Sequence, residues 1–416
     1  MKKKTSADKL GIEKILNKYA DLILDFGIAM RPGQKIIIQS EPIHKDFIEL
    51  LAQKAYERGA QIVHVELNMP LLNVHRSNYQ KDEFLPYIPS FKKAQIDEWI
   101  EDGWSLIALD GMQDPDVNKK MNQDRNAIVA KANVELRKPL SRALMSGKCY
   151  WTIAALPTPL WAEKVTKAHG TKAQTLLWKD LISILRLNKK NPIAEWKKHS
   201  ETLKVRCSKL NQFKFSKLHF VGEGTDLTVG LTGRSKWLGG GHGEYFPNLP
   251  SEEIFTSPDF RQTEGSVKIT RPVNVLGDQV IGAWFKFGQG QVIDYGAEYG
   301  KHLLDNYFKI DPQAKYLGEV ALVDRSSPIF KSGRVFHNIL FDENAACHIA
   351  LGRGFPIAFE NADNCSEVEL TELGCNQSLL HTDFMVGHEK ISVDGVTADG
   401  KQIPIIVRGK FTKDFS

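Results

Sequence analysis

The chain of 416 residues is long enough for two or three domains at roughly 150 residues each. Its 42% hydrophobic and 25% charged content is that of a folded protein and excludes disorder over most of the length. Fifty-five Lys and Arg against fifty Asp and Glu leave a net charge of +5, too small to call for a nucleic-acid partner.

The basic start, Met1-Lys2-Lys3-Lys4, leads into Thr5-Ser6-Ala7-Asp8-Lys9 rather than an apolar core, so no secretion signal is expected. Ile12, Ile15, Leu16, Tyr19, Leu22, Ile23 and Phe26 recur at helical spacing and predict a helix over residues near 10–29. Pro32-Gly33 ends it, and Lys35–Gln39 reads as a buried strand. A second helix runs to Arg58-Gly59 and is followed by the strand Ile62–Leu67. Trp104–Leu109 and Tyr150–Leu156 are further strands, separated by helical stretches. This alternation predicts a mostly parallel sheet covered by helices. No Gly-x-Gly-x-x-Gly follows the first strand, so a dinucleotide site has no support.

Residues 171–212 are helical and rich in lysine, among them Lys189, Lys190, Lys197, Lys198, Lys204 and Lys209. An anion-binding face is one reading. A solvated helix pair is the plainer one, because Trp178, Trp196 and the leucines between them suit core contacts. After about residue 213 the chain turns to short strands and glycine turns. Gly239-Gly240-Gly241 lacks the Lys-Ser/Thr of a phosphate loop and points instead to a hairpin or a close backbone approach. The fold class is therefore α/β: an N-terminal mostly parallel sheet covered by helices over 1–190, then a β-rich α+β domain over 191–416.

No apolar run approaches the ~18 residues of a membrane span. Five cysteines with no Cys-x-x-Cys pair fit a cytoplasmic protein without structural disulfides.

The unusual polar residues gather between 250 and 390. In Leu380–Val386, a strand pattern points His381 and Asp383 to one face. Asp342-Glu343-Asn344 reads as a helix start and Gly352 as its end, which puts His348 inside a short helix. Glu319 lies in the apolar strand Leu317–Val323, where an ionised carboxylate needs a cation or several donors. Pro250–Pro258 carries the adjacent acids Glu252 and Glu253. Two Glu, one Asp and two His are all ligands for divalent metals. Three carboxylates and two divalent ions leave one positive charge, which a bridging hydroxide would cancel, and that hydroxide would be a hydrolytic nucleophile. The cysteine spacings exclude zinc fingers, and His-Glu-x-x-His does not occur.

Pro250–Pro258, Thr263-Glu264-Gly265, Gly318–Val323, Ser327-Pro328-Ile329, Leu340–His348 and His381–Met385 resemble the thermophilic aminopeptidases, the aminopeptidase T and aminopeptidase S family of metallopeptidases. Pro157-Thr158-Pro159 and Gly224–Gly230 extend the resemblance over almost the whole chain. It implies a cytoplasmic, homodimeric exopeptidase that removes amino-terminal residues from peptides. Two divalent metals would serve it, zinc or cobalt first and manganese or magnesium as alternatives. The implied ligands are Glu253, Glu319, His348, His381 and Asp383, and the choice of Glu253 over Glu252 comes from the resemblance alone. Either Glu253 or Glu319 is then a candidate to relay the proton to the leaving amine, and Glu264 a weaker one to recognise the substrate's ammonium.

One position departs from the pattern. The family places a tyrosine after His348, in a segment ending Arg-Ala-Tyr-Pro, where this chain reads Arg353-Gly354-Phe355-Pro356. Phe355 can neither ligate metal nor donate a hydrogen bond. Losing one transition-state donor costs roughly 100- to 1000-fold. The alternative function is therefore a non-catalytic or weakly active dimeric relative that binds metal or peptide.

Overall fold

A computed structural model describes residues 11–362 and 365–416, so the basic amino terminus and the start of the first expected helix lie outside the described residues. The chain forms two compact units. One comprises the chain up to Trp196 together with Gly241–Leu249, and the other Lys197–Gly240 with Pro250–Ser416.

The first unit holds a five-stranded, wholly parallel sheet in the order Ile62–Leu67, Lys35–Ser40, Ser105–Asp110, Trp151–Ala155, Asn248–Leu249. Parallel neighbours require crossover segments, and helices such as Lys45–Glu57 supply them. Ile36, Ile37 and Ile38 are wholly covered, as an apolar run enclosed on both faces should be. The first helix is regular only over Ile12–Leu22 and then widens into a π turn over Ile23–Gly27, short of the expected 29. That turn frees the Gly27 carbonyl to accept the Phe246 amide at 2.8 Å. The lysine-rich stretch forms two helices, Gly170–Ile184 and Pro192–Phe213. Lys172, Lys197, Lys198 and Lys204 are exposed while Leu177, Leu181, Trp196, Leu203 and Leu210 are buried, so these helices solvate one side and pack the other, with Lys189 and Lys190 exposed between them.

Among the described residues the second unit contains a two-stranded sheet, Val273–Val275 with Asp278–Val280, and two large antiparallel sheets. The larger has eight strands, with Thr263–Lys268, Thr225–Gly230 and Lys217–Gly222 at its middle. The smaller runs His381–Met385, His348–Gly352, Leu317–Leu322, Ile254–Thr256, Leu238–Gly239. One hydrophobic core joins them: Phe220, Leu227, Val267 and Phe285 come from the larger sheet, Val320, Ile349 and Phe384 from the smaller. The Phe285 and Phe384 rings meet edge to face at 5.0 Å. All three glycines make the expected close approach, Gly240 the tightest. Its φ is 74°, and a Cβ there would lie 2.4 Å from the Ser200 carbonyl oxygen.

The expected helix around His348 is not formed. Helical turns occupy Ile339–Asp342 and Glu343–Ala345, then Ala346 turns extended (φ −157°, ψ 163°) and His348–Gly352 is a strand buried along its whole length. A short apolar run looks the same in a buried helix and in a strand enclosed on both sides. Here the neighbouring strands 317–322 and 381–385 decide it.

Candidate metal centre

Strand periodicity builds the site. Residues directly opposite one another in an antiparallel pair share a face, as do residues two apart along a strand. Glu319 lies opposite Ala350, and Ala350 opposite Asp383. In the adjoining row Phe255 lies opposite Ala321, and Ala321 opposite His348. His381 precedes Asp383 by two and lies opposite Gly352. Glu319, His348, His381 and Asp383 thus stand on one face above a floor of Ala321, Ala350 and Gly352. The intervening residues Val320, Ile349 and Phe384 point into the core and are fully buried. Glu253 enters from the segment leading into the strand Ile254–Thr256.

All five implied ligands come together, in two overlapping groups. Ligand atoms of Glu253, Glu319 and His348 lie within 4.8 Å of one another, and so do those of Glu319, His381 and Asp383. Glu319 is common to both. Of the two adjacent acids, Glu253 turns to His348 (3.1 Å) while Glu252 pairs with His199 (3.3 Å). Glu264 is not part of this cluster. It sits exposed on the larger sheet, where its carboxylate accepts the Gln289 amide at 2.6 Å.

Both imidazoles are oriented by backbone. His381 Nδ1 donates to the Arg353 carbonyl at 2.7 Å, and His348 Nδ1 to that of Ala346 at 3.1 Å. Each Nε2 therefore faces the carboxylates, at 3.3 Å from Glu319 and 3.4 Å from Asp383 for His381. Carbonyl-held Nδ1–H groups are how metal-binding histidines present Nε2.

The electrostatics are those of acids crowded out of water. Burial, reinforced by Asp383 and Glu253, raises the Glu319 carboxyl to about 7 despite its contact with His381. Burial would pull His348 down, but the Glu253 carboxylate beside it wins and lifts it to about 10. His381 also rises well above its ordinary value, with Asp383 and Glu319 overcoming burial. Burial works against the Asp383 carboxylate, yet His381 holds it below the usual range. Protons on the histidines thus offset part of the carboxylate charge, but not all polar atoms are satisfied. Glu253 Oε2 is buried and, although close to His348 Nε2, is out of line for a hydrogen bond. A buried carboxylate oxygen without a donor fits a site shaped for cations.

The sequence reading missed one acid here. Glu343, on the turn Glu343–Ala345, has its carboxyl pushed well above the ordinary range by burial and then by the fields of Glu253 and Asp383. Asn344 Nδ2 donates to its Oε1 at 3.3 Å. Its signal lay in Asp342-Glu343-Asn344, where the capping role of acids at a helix start explained the same letters.

Residues 12–411 match the thermophilic metalloprotease (M29) family. Aminopeptidase 2 of Geobacillus stearothermophilus is 35% identical over 405 residues, covering 96% of this chain and 98% of its own. Aminopeptidase T of Thermus aquaticus is 35% identical over 402 residues, covering 95% and 98%. The solved structure of wild-type AmpT from Thermus thermophilus aligns with a TM-score of 0.89 at 33% identity, over 96% of this chain and 100% of that one.

Proposed function

The chain belongs to the M29 family of thermophilic metalloproteases and is a metal-dependent aminopeptidase, and from that premise we propose that it works with two divalent ions held by Glu253, Glu319, His348, His381 and Asp383. The observation that carries this reading is the sharing of Glu319 between two ligand groups. Two imidazoles with three carboxylates suit zinc or cobalt better than magnesium. When bound, such ions supply Lewis acidity toward the scissile carbonyl and lower the pKa of water.

The chain's own residues would do the rest. The carbonyls of Arg353 and Ala346 fix the imidazole tautomers. Glu319, facing both groups, neutralises charge on either side. Glu343 is an acid in the field of the cluster that lies outside both groups. With cations bound, the acids that raise its carboxyl would be offset and its proton would go to solvent; the ionised group would then take a proton from the attacking water and return it to the departing amine. Metal analysis alongside hydrolysis of a chromogenic aminoacyl amide tests the scheme. Two ions per chain and turnover lost on chelation are expected, and turnover that survives complete removal of metal would overturn it.

Phe355 fits as a ring without a hydroxyl. Its amide donates to Ser257 Oγ at 2.8 Å, and its ring centroid lies 5.0 Å from that of His381. Phe355→Tyr adds one oxygen to a ring already held beside the site. It is expected to raise kcat at least several-fold without lowering the thermal midpoint. A stable variant with unchanged kinetics would show the hydroxyl to be dispensable. A buried hydroxyl lacking a partner would instead cost about 1–3 kcal/mol.

The resemblance also supports a homodimer acting on peptides in the cytoplasm. Five unpaired cysteines agree with a reducing compartment, and among the described residues no helix is long and apolar enough to cross a membrane. Light scattering is expected to give twice 46.9 kDa. Monomer alone at micromolar concentration would rule the dimer out.

A further inference from the structure

Two aromatic rings border the cluster without belonging to either ligand group. Phe255 follows Glu253 by two residues and lies opposite Ala321, which places its ring on the sheet face that carries the metal donors. Phe355 comes from the loop after the strand His348–Gly352, its ring against that of His381. The two rings meet edge to face, with centroids 5.6 Å apart and planes at 70°. Both remain half-buried, whereas core rings such as Phe285 and Phe384 are fully covered. The wall is also fixed in place, because the buried Ser257 hydroxyl holds the Phe355 backbone.

A peptide whose first carbonyl sits at the carboxylate–histidine cluster branches into its first side chain one bond away, at Cα. A wall resting on His381 is within reach of that branch. Two phenyl rings offer neither a hydrogen bond nor a counter-charge to an ammonium or carboxylate stripped of water, and a ring face returns to an ammonium only part of that loss, but they cover aliphatic and aromatic surface well. We propose that Phe255 and Phe355 form the subsite for the side chain of the substrate's first residue, and that this subsite selects large, uncharged, apolar side chains. The proposal rests on the aminopeptidase reading and adds the class of amino terminus it acts on.

The test uses the metal-loaded enzyme and the p-nitroanilides of leucine, alanine, lysine and glutamate. Expected is a kcat/KM for leucine at least about 10-fold above that for alanine, with lysine and glutamate lower still. Phe255→Ala is expected to lower the leucine-to-alanine ratio about 10-fold. Phe255→Leu, which keeps an apolar side chain at that position, should retain an intermediate ratio. A parent enzyme that takes lysine or glutamate as well as leucine overturns the proposal without any variant. Binding is read separately by calorimetry with leucine hydroxamate and glycine hydroxamate, where the same preference for leucine is expected. Equal binding of the two, with normal hydrolysis of the alanyl amide, removes the subsite and leaves the aminopeptidase reading standing. A leucine preference in binding with no hydrolysis of any amide does the reverse.

Discussion

Glu319→Gln is expected to lower turnover by at least about 1000-fold, at the upper end for loss of one group preorganised toward the reacting centre, and to reduce bound metal. Among the described residues Glu319 alone belongs to both ligand groups, so neither group is complete without it. The same substitution should have the opposite effect on the metal-free protein. There the Glu319 carboxyl is raised to about 7 by burial and by Asp383 and Glu253, so ionising it is unfavourable. A folded-state pKa above the unfolded value means stability that is present at low pH and lost as pH rises through about 7. Glutamine keeps the shape and removes the ionisation. Melting in chelator should therefore show the variant gaining on its parent as pH rises from 4.5 to about 7 and keeping that gain above it, while activity is gone. His381→Ala should likewise abolish activity and lower metal content. Two bound metals and normal turnover in both variants would show the ligand set to be wrong.

Metal uptake is expected to expel protons, with affinity rising about 10-fold per pH unit for each proton released and up to about 100-fold where both histidines discharge. His348 at about 10, and His381 well above its ordinary value, are cations at neutral pH when no metal is present. Imidazolium cannot ligate, so each proton must leave before Nε2 can bind. The competition weakens as pH rises from 6 toward 9 and strengthens in acid. Calorimetric titrations of zinc into metal-free protein, in buffers of different ionisation enthalpy, count the protons directly. Uptake that releases none would mean that the histidines are neutral in the resting site or remain outside it.

Much of this arrangement could be read from local pattern. The run Ile36–Ile38 is the covered strand its composition implies, and the period of two placed His381 and Asp383 on one face as found. Motifs scattered from Pro250 to Met385 pointed to a family that the whole of 12–411 matches. The failures have physical reasons. His348 lies in a run too short and too uniformly apolar to reveal its period, and only pairing with distant strands makes it a strand. Glu343 owes its perturbed carboxyl to acids as far off in sequence as Glu253 and Asp383, an effect no local window contains. The placing of Phe255 depends on register, because its pairing with Ala321, and that of Ala321 with His348, are fixed by the whole sheet.

The path of the chain through Gly241–Leu249 bears on how the protein can be divided. It departs from the second unit after Gly240, lends Asn248–Leu249 to the parallel sheet beside Trp151–Ala155, and resumes the second unit at Pro250. No single cut can release two intact halves. A fragment beginning at residue 191 would carry off the fifth strand of a sheet it no longer contains, and the fragment left behind would expose the edge of Trp151–Ala155. Chimaeras between relatives face the same constraint: a recombination point at one linker would splice a foreign strand in just upstream of Glu253. Halves that are to be exchanged need three junctions, with 241–249 travelling alongside the amino-terminal segment.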